Sequence, residues 1–232
     1  MMLGLIFGPY WWFAIPGLIL GIYAQIKLSS TYNRYLEVGT QSGVTGAQAA
    51  REILDRSGLS NIPVEEIPGQ LTDHFDPMKK ALFLSSENYH GNSISAVGVA
   101  AHESGHALQQ QAGYAMFNLR MWLVPATQFA SMAWMGLMML GFFFRALGPT
   151  FINIAIGVFS VLTLFQIVTL PVELDASRRA KVQLDRLGLI GPAESEPVRK
   201  VLSAAAMTYV AAMVTAVLQL LQLIMIARDD RR

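Results

Sequence analysis

The sequence predicts a mainly α-helical membrane protein that carries a small α+β domain. Only 14% of its 232 residues are charged, whereas soluble domains carry about 25%. Four stretches lack Asp, Glu, Lys and Arg altogether, and each exceeds the ~20 residues that cross a bilayer core. Short alternating apolar runs between residues 64 and 84 predict a β-hairpin or a three-stranded sheet. The four uncharged stretches are residues 1–26, 121–144, 146–172 and 201–227.

These stretches divide the chain into five regions. The first stretch differs from a secretory signal, which begins with positive charge, because no Lys or Arg precedes Lys27. We therefore expect a retained anchor. The regions are a transmembrane anchor at 1–26, a polar region at 27–120, a transmembrane hairpin at 121–172, a helix and loop at 173–200, and a fourth transmembrane helix with its tail at 201–232.

The basic residues predict an orientation in the cell membrane. If the N-terminus lies outside, residues 27–120 and 173–200 both face the cytoplasm, and together they hold thirteen of the seventeen Lys and Arg residues. The positive-inside rule favours this arrangement. We therefore expect a multi-pass protein whose polar regions are cytoplasmic.

Capping residues set the helix boundaries in the first polar region. Thr45 is the expected N-cap of a helix that ends at Gly58. Ser93 is the expected N-cap of a longer helix that runs to about residue 113. Residues 88–92, which precede that helix, are expected to form a turn.

Proline and glycine punctuate the second half of the chain. Gly148 and Pro149 predict the turn of the transmembrane hairpin, and Pro171 predicts the end of its second span. Residues 174–187 then predict a separate amphipathic helix at the membrane surface. Residues 188–192 break it, and the last helix is expected to begin near Glu194.

The most specific motif is HESGH, in which His102 and His106 stand four residues apart on the helix after Ser93. This spacing puts both imidazoles on one helix face, where two ring nitrogens can bind one Zn²⁺. Glu103 lies between them and can reach a water at the metal without being a ligand. Chance gives about 0.003 occurrences of this pattern in such a chain. A pair of buried structural histidines would also have to bury Glu103, which is rare without a partner.

A catalytic zinc ion needs three protein ligands and one open position. Glu173 is the best third candidate, because two spans separate it from His106 and return both residues to the same membrane face. Asp175 is an alternative ligand, or it orients a ligating histidine from behind. Both acids could instead only complement a helix N-terminus.

Three further residues are candidates for a transition-state donor. His74 and His90 lie in predicted turns, and Tyr209 lies in the fourth span. Lone loop histidines are more often simply exposed, and a tyrosine in a span is more often packed against a carbonyl partner.

Four runs together resemble a known family. The chain is similar to the YugP-like neutral zinc metallopeptidases, bacterial membrane proteins, over nearly its whole length and in the same order. The resemblance implies a zinc-dependent, membrane-bound endopeptidase of the gluzincin kind with a zincin-like catalytic region at residues 27–120. It also implies that His102, His106 and Glu173 bind zinc and that Glu103 is the catalytic base. The runs are DHFDPMKKALFLS, GNSISAVGVAAHESGHALQQ, LPVELDASRRA and KVLSAAAMTYVAA.

The more distant HtpX and CaaX-prenyl-protease families have a similar arrangement, with an aspartate four residues after the glutamate ligand. Here Ser177 stands at that position, and Asp175 is the nearest acid. In zincins generally, an edge strand before the metal helix binds the substrate backbone by strand addition. By that resemblance, the substrate-aligning strand would consist of Ala81, Leu82, Phe83, Leu84 and Ser85.

Two other functions fit parts of the pattern. A site-2-type intramembrane protease also uses H-E-x-x-H, but within a span, whereas only 11 uncharged residues precede His102 here. A catalytically inactive membrane scaffold would use zinc only for folding, through a closed site with a fourth ligand such as His74 or His90.

The same observations limit the partners. We expect an unfolded or membrane-proximal polypeptide as substrate, the lipid bilayer as surroundings, and no nucleic acid, since no basic patch stands out. The sequence is also compatible with an additional, unidentified membrane partner. The chain has no cysteine, which excludes disulfides and thiolate metal ligands.

Overall fold

A computed structural model describes residues 10–143 and 148–229. The chain forms two compact units. We call them the apolar unit, which consists of Met1–Gln25, Leu119–Leu170 and Thr208–Arg232 within the described ranges, and the mixed unit, which consists of Ile26–Asn118 and Pro171–Met207.

The helices and strands follow one another in this order. A 3₁₀ turn (Trp11–Phe13) leads into α1 (Ala14–Leu36) and α2 (Gly46–Arg56). Three strands follow, β1 (Val64–Ile67), β2 (His74–Asp76) and β3 (Ala81–Ser85). The remainder is helical: α3 (Ser86–His90), α4 (Ile94–Gln111), α5 (Ala115–Phe143), α6 (Gly148–Arg186) and α7 (Ser195–Asp229).

Three helical segments within the described residues are long and apolar enough to cross a membrane, judged by length and composition. They are Trp11–Leu36, Phe151–Arg186 and Ser195–Asp229, which overlap three of the four predicted spans. The remaining predicted span, residues 121–144, coincides with α5, and its role as a span stays a prediction. Residues 1–9 of the predicted anchor lie outside the described ranges.

The apolar unit has a small buried cluster of its own. Phe159, Ala216 and Leu223 are buried together, with Trp134 packed against them. Gly17 lies so close to α7 that an added Cβ would stand 2.7 Å from the hydroxyl of Thr215. Glycine therefore allows close helix contact within this unit.

The mixed unit contains the predicted capping residues in their expected places. The Thr45 hydroxyl accepts a hydrogen bond from the backbone N–H of Gln48, whose side chain returns the bond in a capping box. Gly58 follows α2 with a positive φ of 74°, a conformation that glycine adopts readily. The Ser93 side chain accepts from the N–H of Ala96 and begins α4. These local predictions are confirmed.

The sheet has three strands, in the order β1–β3–β2. β1 runs parallel to β3, with Val64 opposite Leu82, and β2 runs antiparallel to it, with Phe75 opposite the same residue. The central strand is therefore β3, whose five residues are all buried. Ala81–Ser85 is therefore not the edge strand that the resemblance implied, because it pairs with β1 on one side and, through Ala81, Leu82 and Phe83, with β2 on the other.

Two further expectations about helix ends are wrong. Residues 88–90 belong to the short helix α3 rather than to a turn. The predicted break at Pro171 does not occur, since α6 continues through it to Arg186 and includes the predicted surface helix. A buried stripe at helical spacing holds the segment after the proline: Val172, Ala176, Ala180 and Leu184.

The residues predicted to form the hairpin turn are helical. Gly148 and Pro149 form the first turn of α6, where a proline without its N–H is tolerated. Residues 144–147 lie outside the described ranges. At the other end of α6, Gly188 has a φ of 64°, and α7 starts after Glu194, as expected.

Candidate metal centre

The helix α4 is the centre of the mixed unit, and small residues let its neighbours approach. Thirteen of its eighteen residues are buried. Gly105 faces α6 so closely that an added Cβ would stand 2.5 Å from the carbonyl oxygen of Ala176. This contact sets α4 directly against the turn of α6 that carries Glu173.

His102, His106 and Glu173 meet at this contact. The ligand atoms of all three residues lie within 4.8 Å of one another. Nε2 of His102 is 3.2 Å from Oε2 of Glu173, and Nε2 of His106 is 3.5 Å from the same oxygen. Glu173 is only 1% exposed and His106 only 8%. A buried carboxylate thus faces two imidazole nitrogens at one point.

These distances fit a zinc ion. Ligand atoms at about 2.1 Å from a tetrahedral centre lie roughly 3.4 Å apart, close to both measured separations. Two nitrogens and one carboxylate oxygen are also a donor set that zinc accepts. In the described part of the chain this group has three members.

Glu103 lies beside this group without joining it. Its Oε2 accepts a hydrogen bond of 3.1 Å from the backbone N–H of Phe75 in β2. Burial raises the pKa of Glu103 to about 7, and the nearby carboxylates Glu173 and Asp73 act in the same direction, while His102 lowers it. The site therefore contains a proton-exchanging carboxyl group next to the convergent ligands.

His102 is supported from behind by a hydroxyl. Its Nδ1 is 3.1 Å from Oγ of Ser177, one turn beyond Glu173 on α6. When Nε2 binds a cation, Nδ1 carries the ring proton and donates a hydrogen bond to this oxygen. Ser177 is therefore placed to orient the His102 ring.

His106 is supported by an amide whose orientation is fixed. The Nε2 group of Gln109 donates to the carbonyl of Val172 at 2.7 Å and to Oδ2 of Asp175 at 3.0 Å. Both partners only accept hydrogen bonds, so Oε1 of Gln109 must face Nδ1 of His106, 3.0 Å away. His106 must then carry its proton on Nδ1, which leaves Nε2 with a lone pair for a metal.

Asp175 anchors this amide to basic residues. One of its oxygens binds Arg178, and the other accepts from Nε of Arg179 at 2.6 Å. Asp175 therefore supports His106 through Gln109.

A second polar network holds β2 near Glu103. Asp73 accepts hydrogen bonds from the backbone N–H of Ser85 at 2.8 Å and from the side chain of Asn88 at 2.9 Å. These bonds join the start of β2 to the end of β3 and to α3. The strand that supplies the Phe75 N–H is thereby fixed in place.

The other two histidines do not belong to the group of three candidate ligands. His74 stacks on Phe83 and has Nδ1 2.8 Å from the carbonyl oxygen of Thr72. His90 pairs with Glu66 at 3.0 Å on the surface. Tyr209 lies in α7.

The sequence predicted no role for two residues that support the site, Gln109 and Asp73. Gln109 stands three residues after His106, a spacing that puts both side chains on one helix face and could have identified it. Asp73 had no comparable signal, since its partners at positions 85 and 88 lie on other elements.

Comparison with known proteins agrees with this geometry. Residues 10–228 match the family described as "Putative neutral zinc metallopeptidase". The chain belongs to this family. It is also 44% identical over 221 residues to a Bacillus subtilis (strain 168) protein named "Putative membrane protease YugP", covering 94% of this chain and 96% of that relative. No solved structure gives a significant match.

Proposed function

We propose that this family member is a multi-pass membrane endopeptidase that uses zinc to hydrolyse peptide bonds. The observation that carries the proposal is the convergence of His102, His106 and Glu173 at separations that match a tetrahedral zinc site. The family description names a zinc metallopeptidase, and the name of the relative is that of a membrane protease, which supports the proposal.

The metal would be held by Nε2 of both histidines and by the Glu173 carboxylate. Bound zinc supplies a Lewis acid for the scissile carbonyl and makes water at the site more acidic. The open ligand position leaves room for a substrate or a water.

Glu103 is the proposed acid–base group. Phe75 holds one of its carboxylate oxygens, and the other accepts a proton from the attacking water. The same carboxyl group then donates that proton to the leaving amine nitrogen. No other described carboxylate lies between the two histidines on this helix face, which makes Glu103 the residue to test first.

Ser177 and Gln109 are the proposed positioning residues. Each one accepts a hydrogen bond from the Nδ1–H group of a histidine and so holds Nε2 toward the metal. Asp175 acts one step further away, because it fixes the amide of Gln109.

The outer edge of β2 is the proposed substrate-aligning edge. The N–H of Phe75 points to Glu103 rather than to β3, so this edge borders the candidate site. An extended peptide can add alongside such an edge through backbone hydrogen bonds. This arrangement favours unfolded or extended polypeptide segments as substrates.

The distribution of charge and the sequence of α6 support a site on the cytoplasmic side, at the membrane surface. Thirteen of the seventeen basic residues lie in residues 27–120 and 173–200, which favours a cytoplasmic site. Glu173 comes directly after the apolar part of α6, which favours a position at the membrane surface. The helix α4, which carries both histidines, is not among the candidate spans of the described chain, so a site within the bilayer is less favoured.

The test uses the full chain purified in detergent and loaded with zinc. We expect one zinc ion per chain and cleavage of an unfolded polypeptide such as reduced casein, with loss of cleavage on chelation. Glu103→Gln should retain zinc and lose at least about 100-fold in turnover, since it removes the proton acceptor. Glu52→Gln on the surface of α2 is the matched control and should cleave normally. Full activity of Glu103→Gln would refute the mechanism.

A further inference from the structure

A cleft of about 560 Å³ lies in the mixed unit and is lined by four arginines. Arg56 comes from the end of α2, and Arg178, Arg179 and Arg186 come from α6. No acidic residue in the described part of the chain lines this cleft. Its walls are therefore strongly basic, although it is separate from the ligands of the candidate metal centre.

The acidic partners of these arginines do not neutralise the cleft. Glu52 pairs with Arg56 at 2.8 Å, and Asp175 is shared between Arg178 and Arg179. Arg186 has no ion pair within the described residues. Four guanidinium groups thus face two carboxylates, which leaves a net positive charge.

Gln183 adds a polar group to the same cleft. Its amide oxygen is shielded from solvent and has no hydrogen-bond partner among the described residues. An unpaired buried polar atom is unfavourable, so rotation of this side chain toward a polar ligand in the cleft would give the amide a partner. The amide accepts from a hydroxyl or, turned over, donates to an oxyanion.

We propose that this cleft binds a phosphate group. Guanidinium groups bind phosphate oxygens through paired, charge-assisted hydrogen bonds, and arginine suits this planar recognition better than lysine. The phosphate can come from a free phosphate compound or from the headgroup of an anionic phospholipid. Basic clusters on the cytoplasmic side of a membrane helix attract such headgroups, and α6 connects this cluster to apolar residues.

The test measures both sources on the full chain purified in detergent. Calorimetry with inorganic phosphate reports the free ligand, and native mass spectrometry with phosphatidylglycerol against phosphatidylcholine reports the lipid. The double variant Arg56→Gln/Arg186→Gln leaves Asp175 with both of its arginines, so the support of His106 is unchanged. We expect it to weaken binding at least about tenfold.

The matched control is Arg34→Gln/Arg199→Gln, which removes the same charge outside the cleft. Arg199 resembles Arg56, because both are exposed and pair with a glutamate on their own helix. Binding that survives in the control and is lost in the cleft variant supports the proposal, and the arm that shows it identifies the source. The proposal is overturned if neither probe binds to the wild-type chain, or if both double variants lose binding to the same extent. If the cleft double does not fold, Arg186→Gln against Arg34→Gln gives the same decision.

Discussion

The two sides of the candidate metal centre are supported in different ways. His102 has one side-chain support, the hydroxyl of Ser177, which can rotate and can accept or donate a hydrogen bond. His106 is hydrogen-bonded to Gln109, whose amide donates to Val172 and Asp175 and therefore has only one possible orientation. The candidate metal site therefore has a rigid side, at His106, and an adjustable side, at His102.

Glu173 belongs to both sides, so its removal should have the largest effect. Glu173→Ala takes away the carboxylate that faces both Nε2 atoms, and we expect zinc affinity to fall about 1,000-fold or more. Zinc competition with a chromogenic chelator measures this. Glu196→Ala, on the exposed start of α7, is the control. Wild-type affinity in Glu173→Ala would mean that the third ligand is another residue.

Gly105→Ala should disturb both sides together by pushing α6 away from α4. Its Cβ would stand 2.5 Å from a backbone oxygen, which cannot move as a flexible side chain can. We expect a loss of about 1–3 kcal/mol in the free energy of unfolding, together with weaker zinc binding. Thermal or chemical denaturation in detergent measures the first effect. Gly98→Ala is the matched control on the same helix, since its Cβ would make an ordinary contact at 3.8 Å.

Gln109→Met should damage the rigid side alone. The methionine keeps the length of the side chain but removes the acceptor for His106, and Asp175 loses one partner. We expect zinc affinity to fall 10- to 100-fold, as is typical when a residue that orients a metal ligand is lost. Gln111→Met, two residues further along on the exposed end of α4, should bind zinc normally. An unchanged affinity in Gln109→Met would remove the distinction between the two sides.

Ser177→Ala should have the smallest effect, because it removes a single adjustable hydroxyl from His102. We expect a loss of less than about tenfold in zinc affinity, since water can replace the hydroxyl at this half-buried position. The zinc affinities of Ser177→Ala and Gln109→Met should be measured in one titration series, so that the two losses can be compared directly. A larger loss in Ser177→Ala than in Gln109→Met would reverse the assignment of the rigid side.

Short-range sequence patterns were sufficient to predict the helix starts and the shared face of the two histidines, because these features involve residues only a few positions apart. Thr45 and Ser93 predicted where α2 and α4 begin, because a capping side chain bonds to a backbone N–H only a few residues away. The spacing of His102 and His106 predicted a shared helix face by the same local reasoning. Turn residues and alternation predicted a β-hairpin or a three-stranded sheet, although not the order of its strands.

Only the tertiary structure decided the features that join distant parts of the chain. Ser177 and His102 are 75 positions apart, and Gln109 and Asp175 are 66 positions apart, so no local pattern could pair them. The strand order made β3 central and β2 the edge, because pairing depends on three segments at once. Packing of Val172 and Ala176 against α4 carried α6 through Pro171, where local propensity predicted a break. Local hydrogen bonds thus place the two histidines, and long-range packing supplies their carboxylate and both of their supports.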